Sequence, residues 1–340
     1  VVAVGLTYAL IHRGSDAPAP AATPTSTITP RTPNAADKEA AFGVFCCWSP
    51  DGVRDFGDWA GRDVQYVVDF SLRRTWNDIA NPFDQLKSWQ DEDYRIVFGL
   101  AMLPEDDSLD VSLAAGARGD YDEYYRTLAQ NLVAYGQGDA VLRLGWEFNL
   151  GSWRWHPGEA DDFIAYWRRV VTTMRAVPGA EGLAFDWNVN NGGNTYDSTR
   201  FYPGRDYVDY VGVDVYDISW AKGTYPYPDT CSTTCRRQRQ AKAWNDTYDS
   251  RYGLRFWSRF AARQGKPMSL PEWGLWERPD GHGGGDNPYF IERMHEFIAD
   301  PANNVAYQAY FEYDVKPDGN HRLRDLKNSG RVFRELFAPS

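Results

Sequence analysis

Eight short apolar runs punctuate this chain, at 42–48, 64–70, 95–102, 140–146, 183–187, 210–216, 267–270 and 305–311. Each is rich in β-branched and aromatic residues and short enough for a buried strand. Stretches with apolar residues at helical spacing lie between them, at 120–134, 161–174, 251–264 and 288–299, and another at 329–337 closes the chain. Gly158-Glu-Ala-Asp-Asp gives the second of these an acidic first turn, which suits a helix N-terminus. Eight strands alternating with helices over about 300 residues is the count of an α/β (β/α)8 TIM barrel. A doubly wound sheet needs a glycine-rich phosphate loop after its first strand, and Ser49-Pro-Asp-Gly52 does not supply one. The barrel is expected to occupy 41–340.

Two segments precede it. Residues 1–11 are apolar apart from Gly5, Thr7 and Tyr8, and His12 and Arg13 follow. The run is too short to span a bilayer as it stands, and 1–13 reads as the remnant of a signal or membrane-anchor helix. Residues 14–40 are rich in Pro, Ala, Thr and Ser and form an extended linker. The expectation is a monomeric catalytic domain that is secreted or tethered to a membrane through that segment.

The net charge of -11 and the pI of about 5.0 argue against nucleic acid and anionic membrane surfaces as ligands. Aromatic residues reach 15 %, with 14 Trp and 21 Tyr. Indoles stack on the flat C–H faces of sugars, so a polysaccharide or oligosaccharide partner fits. The four cysteines give no zinc pattern, since Cys231-x-x-x-Cys235 lacks a second ligand pair and the chain has 5 His. No metal and no cofactor are expected. Cys231 and Cys235 suit a local disulfide. Cys46 and Cys47 fall at the end of a strand, where neighbours point to opposite faces, and are expected to be packed thiols.

Barrel active sites lie at the C-terminal ends of the strands. The polar residues there are Asp69, Glu147, Asn149, Asp186, Asn188, Asp214, Tyr216, Asp217, Glu272 and Glu312. Asp69 and Asp186 are expected to serve structure. Glu147 and Glu272 differ from the rest because each ends an apolar run beside tryptophan. A carboxylate at the end of a buried strand is costly without a partner or a task. Two of them suit the paired carboxylates of a glycoside hydrolase, one kept protonated by apolar walls and one kept ionised. Tyr216, if inward, donates to Glu272. Trp48, Trp153, Trp187, Trp273 and Trp276 sit at or just after strand ends and are candidates for sugar stacking.

Three segments resemble glycoside hydrolase family 26. Arg143-Leu-Gly-Trp-Glu147-Phe-Asn149, followed by Trp153-Arg-Trp155 and Phe163-x-x-x-Trp167-Arg-Arg169, is similar to its acid/base segment. Tyr202-Pro-Gly-x-x-Tyr207-Val-Asp209-x-Val-Gly-x-Asp214-x-Tyr216 resembles the approach to its sixth strand. Pro267-Met-x-x-x-Glu272-Trp-Gly274 resembles its nucleophile strand. The resemblance implies a retaining β-glycanase on a (β/α)8 barrel, typically an endo-β-1,4-mannanase. It implies Glu147 as acid/base, Glu272 as nucleophile and Tyr216 as the nucleophile's partner. Trp146 stands where mannanases of that family carry His, which leaves the polymer open: mannan, a β-glucan or a bacterial cell-envelope glycan. A non-catalytic sugar-binding barrel is the alternative from another class. Trp146, Asn149, Asn188, Asp214 and His282 complete the candidate substrate-binding set.

Two loops stand out. Residues 218–248 form the longest non-helical insertion, placed to overhang the barrel mouth. Residues 279–288 carry three consecutive glycines. They read either as a subsite loop in which His282 or Asp286 touches sugar, or as a tight turn in which Asp286 caps the next helix.

Overall fold

The computed structural model describes residues 39–192 and 196–338. The expected anchor remnant and nearly all of the linker lie outside them. Eight parallel strands close into one barrel in sequence order. The first half runs β1 (Ala41–Phe45), α1 (Pro50–Ala60), β2 (Tyr66–Phe70), α2 (Trp76–Ala80), α3 (Phe83–Ser88), β3 (Arg95–Leu100), α4 (Leu113–Arg118), α5 (Asp122–Ala134) and β4 (Val141–Leu144). The second half runs α6 (Ala160–Arg175), β5 (Ala184–Asn190), β6 (Tyr210–Tyr216), α7 (Thr233–Asp249), α8 (Leu254–Gln264), β7 (Met268–Gly274), α9 (Pro288–Ala299), β8 (Val305–Phe311) and α10 (Lys327–Phe337). β1 closes the ring on β8 through five paired positions, Ala41 to Phe45 against Tyr307 to Phe311. No helix among the described residues is long and apolar enough to cross a membrane.

Each strand sends alternate residues to the barrel interior and to the helix layer. On β5, Asp186 and Asn188 reach partners on other strands of the barrel, whereas Trp187 packs against Phe148, Tyr202, Trp257 and Phe260. Low in the interior, Asp186 accepts hydrogen bonds from Ser269 and Tyr307, and Tyr307 stacks on Tyr66. Asp186 therefore ties three strands together, as expected of a structural acid. Asp69 faces outward instead and accepts from the Phe70 N–H and the Trp89 indole behind α3.

β7 departs from simple alternation. It runs on past Leu270, where the apolar run stops, through Pro271 to Gly274. Its pairing register shifts on both sides, before Trp273 against β8 and before its partner Val215 on β6. Ser269 and Glu272 both reach partners inside the barrel, although three residues apart. That parity needs one extra residue. Pro271, which has no N–H for the ladder, lies in the irregular stretch. The bulge turns Glu272 inward and sends Trp273 outward.

Two expectations fail in this layer. The insertion at 218–248 holds a helix, α7, that the sequence pattern hid. Among its residues only Ala243, Trp244 and Thr247 are buried, so no apolar stripe marks it. The signal present was its start: Ser232 accepts from the Cys235 N–H, and Cys231 is bonded to Cys235 there. Cys46 and Cys47 are not separate thiols but are bonded to each other. β1 ends at Phe45, so strand alternation no longer governs the two residues after it.

Candidate active site

The interior becomes ionic toward the C-terminal ends of the strands. Arg143 of β4 is fully buried, and its guanidinium is the hub. Nη2 donates to Asn188 Oδ1 at 2.9 Å, to Asp214 Oδ2 at 2.6 Å and to Glu272 Oε1, while Nε reaches Asn188 at 3.2 Å. Asn188 in turn donates to Asp214 Oδ1 at 3.0 Å. Burial alone would lower the arginine's pKa. Asp214 and Glu272 more than offset this and hold it above its ordinary value, so it stays charged. Phe70 lies against the guanidinium, 5.5 Å from it to the ring centroid. The other oxygen of Glu272 accepts from Tyr216 at 2.9 Å. Glu272 therefore has a cationic donor on one oxygen and a phenol on the other.

Glu147 lies beyond the end of β4, in a backbone the strand cannot continue. Gly145 turns at φ 57°, and Glu147 itself sits at φ 49°. A Cβ on Gly145 would meet Met102 Sδ at 2.7 Å, so this turn requires glycine. A non-glycine residue in the left-handed region is strained and persists only where its surroundings over-determine it. Here the Glu147 N–H donates to the Asn188 carbonyl at 3.1 Å, and Trp155 Nε1 donates to the Trp146 carbonyl. Asn190 Nδ2 donates to Glu147 Oε1 at 2.5 Å. Asn149 holds Asn190 in turn: its Nδ2 donates to the Asn190 carbonyl and its Oδ1 accepts the Asn190 N–H, both at 2.9 Å.

Burial, with the charge of Glu272 second, raises the Glu147 pKa from an ordinary 4.5 to about 7. Asn190 and Arg143 oppose the rise, and the Trp153 indole lies near the same carboxyl without completing a hydrogen bond. The two carboxyls thus sense each other across one cleft while their surroundings separate their roles. Glu147 can hold a proton near neutral pH. Among the described residues no group of His, Cys, Asp or Glu suits a metal ion.

A pH test follows from this. Glu147 binds its proton more tightly in the folded chain than in the unfolded one. Stability tied to it therefore falls as pH rises from about 4.5 to about 7. Glu147→Gln should gain roughly 1–3 kcal/mol over the wild type at pH 8 and nothing at pH 4. Paired denaturant melts at the two pH values measure it, and an equal difference at both would refute the assignment. On a natural glycan, the wild-type rate should fall as pH rises through about 7, because the acid form is lost.

The remaining candidates divide. Trp153 is half-buried, stacked on Trp155 at 4.7 Å and edge-on to Trp146 at 5.1 Å, with the Arg73 guanidinium over both Trp146 and Trp153. Trp146 is buried and also meets Phe70, so it forms cleft wall. Trp276 packs on Tyr216 and His321 beside Glu272. His321 donates through Nδ1 to the Leu275 carbonyl, and burial pushes its pKa down to about 3, so it is a neutral prop beside Tyr216. Trp48 stands exposed beyond β1. His282 stacks on exposed Trp220, and its Nδ1 meets Ser219 O at 3.1 Å, which joins the loops after β6 and β7.

Four of the substrate-binding candidates do not face the cleft. Asn188 and Asp214 lie beneath Glu272, fully buried and committed to Arg143, so they brace the site. Trp187 and Trp273 are fully buried in the layer between barrel and helices. Trp273 packs on Phe290, Tyr310, Phe333 and Phe337. Each is the immediate neighbour of an inward residue and so points outward. Asn149 acts on the site through Asn190. Asp286 accepts from the Asn328 and Ser329 N–H groups, so it caps α10 rather than the helix that follows it directly. Asp217 and Glu312 are likewise spent on structure, accepting from Tyr225 and Asn287 and from Leu323. Trp187→Ala should cost about 3–5 kcal/mol of stability with substrate KM unchanged. A raised KM with unchanged melting would return Trp187 to the cleft.

Sequence reasoning passed over Arg143, Asn190 and His321. For Arg143 a signal existed: it is a lone charge inside the apolar run Val141-Leu-Arg-Leu144.

Known proteins bear on this arrangement. Residues 140–231, which carry Arg143, Glu147, Asn188, Asp214 and Tyr216, match the family model for glycosyl hydrolase family 26. Over 186 residues the chain is 28% identical to Endoglucanase H of Acetivibrio thermocellus, a match covering 50% of this chain and 19% of that protein. In three dimensions it resembles the endo-beta-1,4-mannanase of Cellulomonas fimi, with a TM-score of 0.59 and 18% identity over 88% of this chain and 71% of that one. It also resembles the catalytic domain of the Bacillus sp. JAMB-750 GH26 endo-beta-1,4-mannanase, with a TM-score of 0.56 and 17% identity over 89% of this chain and 86% of that one. At such identities the structural likeness speaks for the barrel alone.

Proposed function

From its place among the family 26 glycoside hydrolases, we propose that this chain is a retaining, endo-acting β-glycanase whose preferred polymer is a β-1,4-mannan. The observation that carries the reading is the contrast between two carboxyls that feel each other's charge: Glu147, its pKa raised to about 7, and Glu272, held by Arg143 and Tyr216. In the first step Glu272 attacks the anomeric carbon while Glu147 gives its proton to the departing glycosidic oxygen. The bond to the leaving sugar breaks and a glycosyl–Glu272 ester forms. In the second step Glu147, now a carboxylate, takes a proton from water as the water attacks the same carbon, and Glu272 is released. Arg143 and Tyr216 receive the charge returning to Glu272. The strained backbone at Glu147 fixes where the proton is delivered.

A second polymer is favoured by one residue. Trp146 presents an indole wall where the family's mannanases carry His, which admits a β-glucan, in keeping with the likeness to an endoglucanase. Export, with tethering through 1–13, remains part of the proposal. The test is a panel of galactomannan, glucomannan, mixed-linkage β-glucan and carboxymethylcellulose. Reducing-end release and viscosity are followed, and NMR reads the first-formed anomer. A rapid fall in viscosity with the β-anomer first supports the reading. An α-anomer first, or release of monosaccharide without loss of viscosity, overturns it.

A further inference from the structure

The turn after β1 is built around features that the catalytic chemistry does not use. Cys46 and Cys47 are bonded to each other, so the peptide bond between them is closed into a ring with both side chains. The next residue, Trp48, lies at φ 46°, a left-handed backbone rarely adopted by a bulky aromatic residue. Ser49 then caps α1 by accepting the Gly52 N–H at 3.2 Å. Gly52 is what lets α1 press on the ring. A Cβ there would lie 2.8 Å from Cys47 Cβ and closer still to Cys47 Sγ. One side of the ring is thus backed by the helix, yet both cysteines remain half-exposed and Trp48 is 38% exposed.

This turn adjoins the aromatic residues that underlie the cleft. Trp48 packs edge-on against Phe45 at 5.4 Å and against Tyr313 at 5.0 Å. Phe45 is the last residue of β1, and it touches both halves of the catalytic site. On one side it stacks on Phe311 at 4.7 Å, and Phe311 meets Tyr216, the partner of Glu272. On the other it meets Phe70 at 5.3 Å, and Phe70 meets Trp146 and the Arg143 guanidinium. An apolar ring and an exposed indole are therefore held beside the cleft.

We propose that the Cys46–Cys47 ring and Trp48 together form a sugar subsite, an apolar shelf on which one pyranose of the polymer rests by its C–H face. The proposal rests on the glycanase reading and adds to it where a ring beyond the cleaved bond is held. Three arguments support it. The disulfide ring has no free rotamers, so a sugar that lies on it freezes nothing. Strained backbone next to a catalytic cleft is characteristic of ligand clamps. An exposed apolar surface beside a polar cleft marks a contact site. The polymer class it suits is an unbranched stretch of β-1,4-linked hexoses, whose axial hydrogens give the flat face.

The test compares the full chain with Cys46→Ser/Cys47→Ser and with Trp48→Ala. Cys231→Ser/Cys235→Ser controls for the loss of a disulfide as such. kcat/KM is measured on mannohexaose and cellohexaose and on the matching aryl β-glycosides. Calorimetry measures hexasaccharide binding to Glu272→Gln forms of each protein. In both shelf variants the ratio of hexasaccharide to aryl-glycoside kcat/KM should fall roughly 5- to 30-fold, with a matching rise in hexasaccharide Kd. The control should keep both values. An unchanged ratio and Kd overturn the shelf, as does an equal loss on long and short substrates that follows a lower melting temperature. A wild type that binds the hexasaccharides but cleaves neither sinks the hydrolase reading, while the Kd comparison still decides the shelf. A wild type that neither binds nor cleaves overturns both.

Discussion

Glu272→Ala should lose at least about 10⁴-fold in turnover on every substrate, activated or not, because no other group can form the glycosyl ester. Glu147→Ala should behave differently. On polysaccharide it should fall by about 10²- to 10⁴-fold, the usual contribution of a general acid. On an aryl glycoside with a good leaving group its first step needs no proton, so ester formation should survive and the enzyme should stall with glycosyl bound to Glu272. A burst of phenol followed by slow turnover is the expected time course. Azide should then relieve the stall and give a β-glycosyl azide, since it attacks the ester without needing a base. The geometry motivates this division: Glu147 carries the raised pKa, and Glu272 is held by Arg143 and Tyr216. Equal losses for both variants on natural and activated substrates would remove it, and so would an α-glycosyl azide.

Removing the hub should be nearly as damaging, for a different reason. Arg143→Met keeps approximate volume but leaves Asp214 and Glu272 without their cation, and Asp214 is fully buried. Breaking a buried ion pair from one side costs about 3–5 kcal/mol, most of it from the charge left behind. The loss should be largest above neutral pH, where the buried Asp214 carboxyl, whose pKa burial raises, is asked to ionise. It should shrink toward pH 4, where protonation removes the unpaired charge. Turnover should drop by about 10²- to 10³-fold, because the nucleophile loses the donor that holds one of its oxygens in place. Arg143→Lys should recover charge without the geometry, since a shorter side chain with one nitrogen cannot reproduce the paired Nε and Nη2 contacts to Asn188 while it reaches Asp214 and Glu272. Denaturant melts at pH 4 and 8, with a pH–rate profile, test this. Loss of rate without loss of stability would mean that the carboxyls find other partners.

The barrel was legible because eight apolar runs recur along the chain with helical spacing in four of the gaps between them, and the pair Glu147 and Glu272 because each breaks an apolar pattern at a strand end. What stayed hidden depended on distance or on parity. Trp187 and Trp273 look like cleft aromatics in one dimension, but each neighbours an inward residue and so points outward. Glu272 reaches the interior only through the bulge around Pro271, and a proline inside a strand was the visible hint. The helix α7 lacks an apolar stripe. The Cys46–Cys47 bond follows from where β1 stops, which sequence places only to within a few residues. Asn149 kept its place in the motif, yet its contact is to Asn190, about forty residues on, and no local pattern encodes that.

Barrel closure bears on the order in which the molecule can come to life. Of the eight strands β1 is made first and pairs with β8, which is made last, so one flank of β1 has no strand partner until nearly the whole barrel has left the ribosome. Such non-local pairing is slow and leaves a sheet edge exposed meanwhile. The cleft inherits that schedule. Arg143 can meet Asp214 once β6 is in place, but Glu272 arrives two helices later, and Phe311 closes the floor under Tyr216 only with β8. Catalytic competence thus waits for the last strand of the barrel, and a nascent chain stalled before β8 carries its chemistry in pieces.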